Sequence, residues 1–206
     1  MESGNILLRE DAVKENPLDQ FMTWYGEAFT AEGELIANAM TLATVDEDNK
    51  PSARLVMLKG LSAEGFVFYT NFHSRKGHDL ARNSQAALVF WWPKLGRQVR
   101  VQGQVQTYDA TQSTEFFQER PRAFQIGTWA SPQSQVVPDL NFLVERHKEV
   151  ELKYPEGNIP RPPHWGGYLM VPDRMEFWQG NDNHLHDRLE YQRVELGDWQ
   201  MYRLAP

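Results

Sequence analysis

A chain of 206 residues, 41% hydrophobic and 24% charged, has enough apolar material for a real core and falls in the size range that barrels and sandwiches fill as one domain. Its net charge of −7 excludes a general binder of nucleic acid or of an anionic membrane surface, so any anion site has to be local. With no cysteine there is no disulfide framework, no thiolate metal site and no thiol nucleophile. Residues 1–15 hold no basic region followed by an apolar run, and no stretch approaches the roughly 20 apolar residues of a membrane-spanning helix, so a cytoplasmic location is expected.

Residues 1–16 are polar and unpatterned, which predicts a flexible lead-in to a single domain over 17–206. From Pro17, the residues Leu18, Phe21, Met22, Trp24, Tyr25, Ala28 and Phe29 recur at helical spacing, and Gly33 follows the end. Runs at 39–45 and 53–59 predict a hairpin around a polar loop whose Asp46, Glu47 and Asp48 read as solvated. Residues 66–70 predict a strand covered on both faces, 74–83 a short helix, and 86–92 a strand stopped by Pro93. In the next strand Val99, Val101 and Val105 point one way while Gln98, Arg100, Gln102 and Gln104 point the other. Helices are expected at 109–119 and 139–153, with a loop-rich stretch at 120–138 between them and a proline-rich connector at 154–163. Strands return at 165–171, 175–178, 187–194 and 199–204. Most strand connections are too short for a crossover helix, so the expected fold is mostly β, a small closed barrel with peripheral helices.

Three clusters carry chemistry. Ser74-Arg75-Lys76 opens a predicted helix with a good N-cap followed by two cations, which oppose the positive end of the helix dipole. A bound phosphate would compensate them, and so would nearby acids in a solvated turn. Arg54 and Lys59, five apart, fall on opposite faces of a regular strand and by themselves read as surface charges. His184, His186 and Arg188 share a face if extended; without further ligands nearby they fit an anionic or aromatic ligand better than a metal. The stripe Phe90-Trp91-Trp92 reads as core or subunit interface, and no dinucleotide, nucleoside-triphosphate or α/β-hydrolase motif occurs.

Taken together, Arg54-Leu55-Val56-Met57-Leu58-Lys59, Phe68-Tyr69-Thr70-Asn71, Ser74-Arg75-Lys76, Arg97-Gln98-Val99, Arg120-Pro121-Arg122, Gln125-Ile126-Gly127, Trp129-Ala130-Ser131-Pro132-Gln133-Ser134, Phe177-Trp178-Gln179-Gly180, Leu185-His186-Asp187-Arg188 and Arg203-Leu204-Ala205-Pro206 resemble the pyridoxine (pyridoxamine) 5′-phosphate oxidase family. The resemblance runs in order from about Pro17 to Pro206. It implies a split β-barrel and a homodimer with FMN at the subunit interface. The implied activity is oxidation of pyridoxine or pyridoxamine 5′-phosphate to pyridoxal 5′-phosphate, with oxygen reduced to hydrogen peroxide. By the same resemblance FMN would be held by Arg54, Leu55, Val56, Met57, Leu58, Lys59, Tyr69, Thr70, Arg75, Lys76, Gln98, Gln133, Ser134, Trp178 and Arg188, with Arg75 and Lys76 at its phosphate.

The substrate positions implied by the family are Lys59, Phe116, Arg120, Phe124, His184 and His186, the two histidines lying beside the reacting ring. Three depart from the family pattern. Phe116 stands where Tyr is expected, Phe124 where Ser is expected, and His184 where Arg is expected, removing two hydroxyl donors and a permanently charged fork. A phenazine-pathway-like flavin oxidase acting on another reduced aromatic substrate, and a non-catalytic FMN or pyridoxal phosphate binding protein, are the alternatives.

Overall fold

The computed structural model describes residues 8–182, 185–194 and 197–206. Its strands are β1 (Ala39–Val45), β2 (Pro51–Met57), β3 (Gly60–Leu61), β4 (Phe66–Asn71), β5 (Gln85–Trp92), β6 (Arg97–Thr107), β7 (Trp165–Gln179), β8 (Asp187–Arg193) and β9 (Trp199–Arg203). The helices are α1 (Pro17–Glu32), α2 (Glu34–Asn38), α3 (Arg75–Arg82), α4 (Ala110–Glu119), α5 (Arg122–Ala130) and α6 (Leu140–Lys153). Every strand pairing is antiparallel, in the order β2-β1-β5-β6-β7-β4-β3, with β8 paired to β7 and β9 to β8.

The two ends of that path, β2 and β3, are consecutive in the chain and joined by Leu58 and Lys59 alone. A link of two residues spans only about 10 Å at full extension. The sheet must therefore curl until its margins meet, giving a barrel with a split between β2 and β4. The link is fixed by backbone bonds from the Leu58 N–H to the Asn38 carbonyl and from the Lys59 N–H to the Val67 carbonyl.

Alternation along β6 does the sorting that the sequence predicts. Val99, Val101 and Val105 are buried in the barrel with Leu42, Leu88, Phe90, Trp92, Met175 and Phe177. Helix α1 starts at Pro17 with Asn16 accepting from the Leu18 N–H, and it lays Phe21 into the barrel mouth. The Phe21 ring lies 4.8 Å from Phe66 and 4.9 Å from Phe90, edge-on or tilted to both. Such aromatic pairs add stabilisation beyond the area they bury. Trp24 faces Phe177 edge-on, with the Arg97 guanidinium 4.4 Å from its ring.

Several expectations need correction. The predicted strands at 165–171 and 175–178 are one strand, β7, continued past Pro172 by a register shift opposite Gln102 and Gly103. A side chain at 103 would meet the Val171 carbonyl oxygen at 2.1 Å, so glycine is what lets the irregular strand close against β6. The stretch 120–138 is not all loop, because it contains α5. The loop carboxylates are engaged as well as solvated: Asp46 accepts from the N–H groups of Asp48 and Lys50 and lies 3.9 Å from Arg75, and Glu47 pairs with Arg82. Helix α2 and strand β3 have no counterpart in the sequence reading. No helix among the described residues is long and apolar enough to cross a membrane.

Candidate functional site

A cavity of about 610 Å³ lies over the split, lined by Leu55, Val56, Met57 and Lys59 on one side and by Tyr69, Thr70, Lys76 and Gln133 on the other. Phe116, Arg120, Phe124 and Trp165 line its far part. A smaller cavity of about 380 Å³ adjoins it, sharing Tyr69, Thr70, Arg120, Phe124, Gln133 and Trp165 and adding Thr128 and Ser131. Curling the sheet brings together residues that are distant in the chain.

At one end stands a cationic group built around α3. Ser74 caps the helix, its hydroxyl oxygen accepting from the Gly77 N–H, and a Cβ at 77 would meet the Phe72 carbonyl oxygen at 2.1 Å. Only glycine allows the first turn to press that closely onto the strand end. Lys76 is thereby turned inward and is 8% exposed. Its Nζ donates to Thr70 Oγ1 at 2.8 Å, Ser74 Oγ at 3.1 Å and Gln133 Oε1 at 3.3 Å. All three acceptors are neutral, and among the described residues no carboxylate lies within ion-pair distance of Nζ. Burial, reinforced by Arg54, lowers the Lys76 ammonium to a pKa of about 8.

Arg54 is not the free surface charge that strand parity implies. It donates to Leu42 O, Thr44 Oγ1 and Ser52 Oγ and lies 3.8 Å from the buried Asp79, to which Thr44 also donates at 2.6 Å. Burial pushes its guanidinium down while Asp79 holds it up. Arg75 is exposed and faces Asp46. Arg54 and Arg75 lie outside the cavity lining and are each partnered by an acid, so Lys76 is the cation of this group that faces the cavity without an ion pair among the described residues, although the whole chain is acidic.

At the other end is Arg120, the residue after α4. Gln125 on α5 donates to the carbonyls of Phe117, Gln118 and Arg120, tying off the end of α4. The guanidinium lies 4.7 Å from the Trp165 ring and donates to Thr128 Oγ1 at 2.8 Å. Burial pushes it down from its ordinary value, and no carboxylate among the described residues pairs with it. Between the two cationic ends the rings of Phe116, Tyr69 and Trp165 lie nearly parallel, with Tyr69 4.1 Å from Phe116 and 5.3 Å from Trp165. Burial, helped by Tyr108 and Glu119, pushes the Tyr69 hydroxyl up to about 12, so it stays protonated at neutral pH. Phe116 and Phe124 thus border the cavity without a hydroxyl.

Gln98, Trp178, Arg188 and His186 do not line this cavity. Gln98 pairs across the sheet with Trp91 and Trp178, and Trp178 with Arg188, making a row on the face of β5–β8 opposite the core. Trp91 is 48% exposed and lies 6.0 Å from Trp178. His186 sits 4.7 Å from Trp178, its Nδ1 accepting from the Asn181 N–H. Arg188 donates to the buried Glu176 at 2.9 Å and to the Ala205 carbonyl. Leu58 is buried in the core, and Ser134 is exposed with φ of +70°. His184 lies outside the described residues. Among the described residues no cluster of histidine and carboxylate side chains could hold a metal ion. Thr128 was not singled out by sequence reasoning; its only trace there is its position one helical turn after Phe124.

Comparison with known proteins agrees with this geometry. Residues 31–154 match the family model described as pyridoxamine 5′-phosphate oxidase, and residues 165–206 match that of the pyridoxine 5′-phosphate oxidase C-terminal dimerisation region. The chain is 54% identical to a pyridoxine/pyridoxamine 5′-phosphate oxidase of Salinibacter ruber, over 100% of this chain and 96% of that one. It is 51% identical to the protein of the same name from Acaryochloris marina, over 97% and 90%. Among solved structures, PhzG of Burkholderia lata in complex with tetrahydrophenazine-1-carboxylic acid is similar with a TM-score of 0.90, at 28% identity over 98% of both chains. A pyridoxamine 5′-phosphate oxidase-related, FMN-binding protein of Nostoc punctiforme shares the fold at a TM-score of 0.72 and 16% identity, over 90% of this chain and 97% of that one. With its curled antiparallel sheet, its split-lined cavity and relatives matched over 90% or more of their length, the chain belongs to the pyridoxamine 5′-phosphate oxidase family.

Proposed function

We propose that the chain is an FMN-dependent oxidase that converts pyridoxine or pyridoxamine 5′-phosphate to pyridoxal 5′-phosphate, with oxygen reduced to hydrogen peroxide. The observation that carries this reading is a cavity lined by two cations with no carboxylate partner among the described residues, Lys76 held by Thr70 and Gln133 and Arg120 held against Trp165, with an aromatic and apolar wall beside them. Two phosphorylated ring compounds meeting end to end fit that layout. Lys76 supports the flavin assignment: a buried ammonium with only neutral acceptors is what a site for a ligand phosphate requires. FMN, when bound, supplies the two-electron acceptor and the route to oxygen. In this reading Thr70, Gln133 and Lys76 seat its phosphate, Leu55–Met57 and Tyr69 exclude water from its ring, and Lys59 and Arg120 hold the substrate phosphate.

The row of Trp91, Gln98, Trp178 and Arg188 belongs, in this proposal, to a homodimer. It faces outward on the same chain, and much of it falls in the segment that matches the dimerisation region, so each copy would complete the other's cavity. His186 would then stand beside the substrate ring of the second copy, with His184 next to it.

A second reading is favoured by one feature. Phe116 and Phe124 give the Arg120 end two bare rings, which suit a larger reduced aromatic acid of the kind bound to PhzG. The deciding experiment is reconstitution with FMN followed by peroxide measurement with pyridoxine phosphate, pyridoxamine phosphate and a reduced phenazine carboxylate. Yellow protein and turnover of the phosphates support the first reading, turnover of the phenazine alone supports the second, and a protein that takes up no FMN defeats both.

The depressed pKa of Lys76 fixes a pH dependence. Its value when folded lies below the unfolded one, so the unfolded chain binds the proton more tightly between about 8 and 10.5. The ligand-free fold therefore carries the full cost of the buried ammonium below pH 8 and gains stability as pH rises through that window. FMN binding runs the other way, because the phosphate needs the ammonium. Affinity measured by flavin fluorescence quenching should be flat between about pH 7, where the phosphate is a dianion, and pH 8, and fall by up to about tenfold per unit above it.

A further inference from the structure

We propose that Thr128 is a positioning residue, which aims the Arg120 guanidinium at the anionic group of the substrate; this rests on the assignment of Arg120 as the substrate's anion seat. A threonine hydroxyl has one proton to give. Here it goes to the Phe124 carbonyl at 2.7 Å, so the oxygen presents only lone pairs to its other neighbour. That neighbour is Arg120 Nη1 at 2.8 Å. The assignment of donor and acceptor is therefore unambiguous.

The rest of Arg120 is already fixed except for its head. Its backbone N–H donates to the Phe117 carbonyl and its own carbonyl accepts from Gln125, so the Cα cannot swing. The head lies among rings, 4.7 Å from Trp165, 5.9 Å from Phe117 and 6.0 Å from Phe124. Rings attract a cation to their faces but do not choose which N–H points where. Thr128 Oγ1 is the only side-chain acceptor bonded to the guanidinium among the described residues; it occupies Nη1 of a head that lines both cavities and leaves the other N–H groups to a ligand. With Phe116 and Phe124 offering no hydroxyl, the aim of this one fork decides more of the binding than it would in a site with several donors.

The test compares Thr128→Val, which keeps the branched shape, with Thr128→Ser, which keeps the oxygen, both as FMN-loaded full-length protein so that the Lys76 seat is filled. For Thr128→Val the expected result is a KM for pyridoxamine phosphate raised about tenfold, the loss of one hydrogen bond to a charged group, with kcat at saturation within about twofold. Thr128→Ser should return KM to near the parent value. Inorganic phosphate, titrated by tryptophan fluorescence, should bind Thr128→Val about tenfold more weakly and Thr128→Ser normally. An unchanged KM and phosphate affinity in Thr128→Val, a fall in kcat alone, no rescue by Ser, or no phosphate binding to the FMN-loaded parent would each overturn the proposal. If the parent oxidises neither phosphate ester but still binds phosphate, the functional reading fails and the phosphate titration decides the role of Thr128 by itself.

Discussion

Lys76→Met should weaken FMN binding by about 10 to 150-fold while leaving the ligand-free protein at least as stable as the parent. The first half follows from removing a charge-assisted hydrogen bond, about 1.5–3 kcal/mol, from the phosphate seat. The second half follows from the surroundings of Nζ, where three neutral oxygens replace water but no carboxylate balances the charge. Methionine fills similar space and abolishes the cost of burying an unbalanced ammonium. Opposite movement of the two readouts separates a ligand seat from a structural lysine: equilibrium titration with FMN reports one and thermal unfolding without flavin the other. A parallel loss of both would mean that Lys76 holds the fold together and that its inward turn has nothing to do with a phosphate.

Arg120→Ala should raise KM for pyridoxamine phosphate by at least about 30-fold, from the 2–5 kcal/mol typical when one partner of a desolvated charge pair is removed, and should leave FMN affinity unchanged. Arg120→Lys should recover little of the loss. An ammonium cannot lie flat on the Trp165 ring, bond to Thr128 and still present a planar fork to an anion. Steady-state kinetics with flavin occupancy measured in the same samples checks both statements. Should the alanine variant keep its KM, the far end of the cavity is not where the substrate's charge goes, and Lys59 becomes the remaining candidate.

Strand alternation made much of the framework legible. Val99, Val101 and Val105 announce their burial, and Gly33 and Pro93 mark ends that the structure keeps. Helix α5 was hidden because Pro121 offers no capping side chain and Gly127 interrupts it, while its support comes from Gln125 reaching back to α4 and from packing on α6. Strand β7 was split in the sequence reading because Pro172 cannot donate to a ladder, and only the irregularity opposite Gly103 tolerates it. At the site, the helix start at Ser74-Arg75-Lys76 was readable as an anion seat or as a turn paired with acids, and the structure divides the roles: Arg75 meets Asp46, Lys76 turns inward. Arg54 and Lys59 form no common patch, as parity implies: Arg54 turns to Thr44, Ser52 and Asp79, which parity does not foretell, whereas Lys59, beyond the end of β2, is exposed and lines the cavity. That Gln133 meets Lys76 and Thr128 meets Arg120 has no local signal, because both contacts are made by tertiary approach.

The Leu58–Lys59 link also governs how the cleft can breathe. One extremity of the slit is sewn shut by covalent chain and two amide bonds, and the opposite extremity is held by α3, through the buried hydrogen bond of Thr44 to Asp79, Arg54 beside Asp79, and the more exposed pairs of Arg75 with Asp46 and Arg82 with Glu47. Ions in solution screen the two exposed pairs but leave the buried Asp79 contacts in place, so salt alone would not part the two margins. The cationic seat lies beside α3, so a negatively charged visitor would compete with Asp46 for Arg75 while Asp79 keeps the margins together.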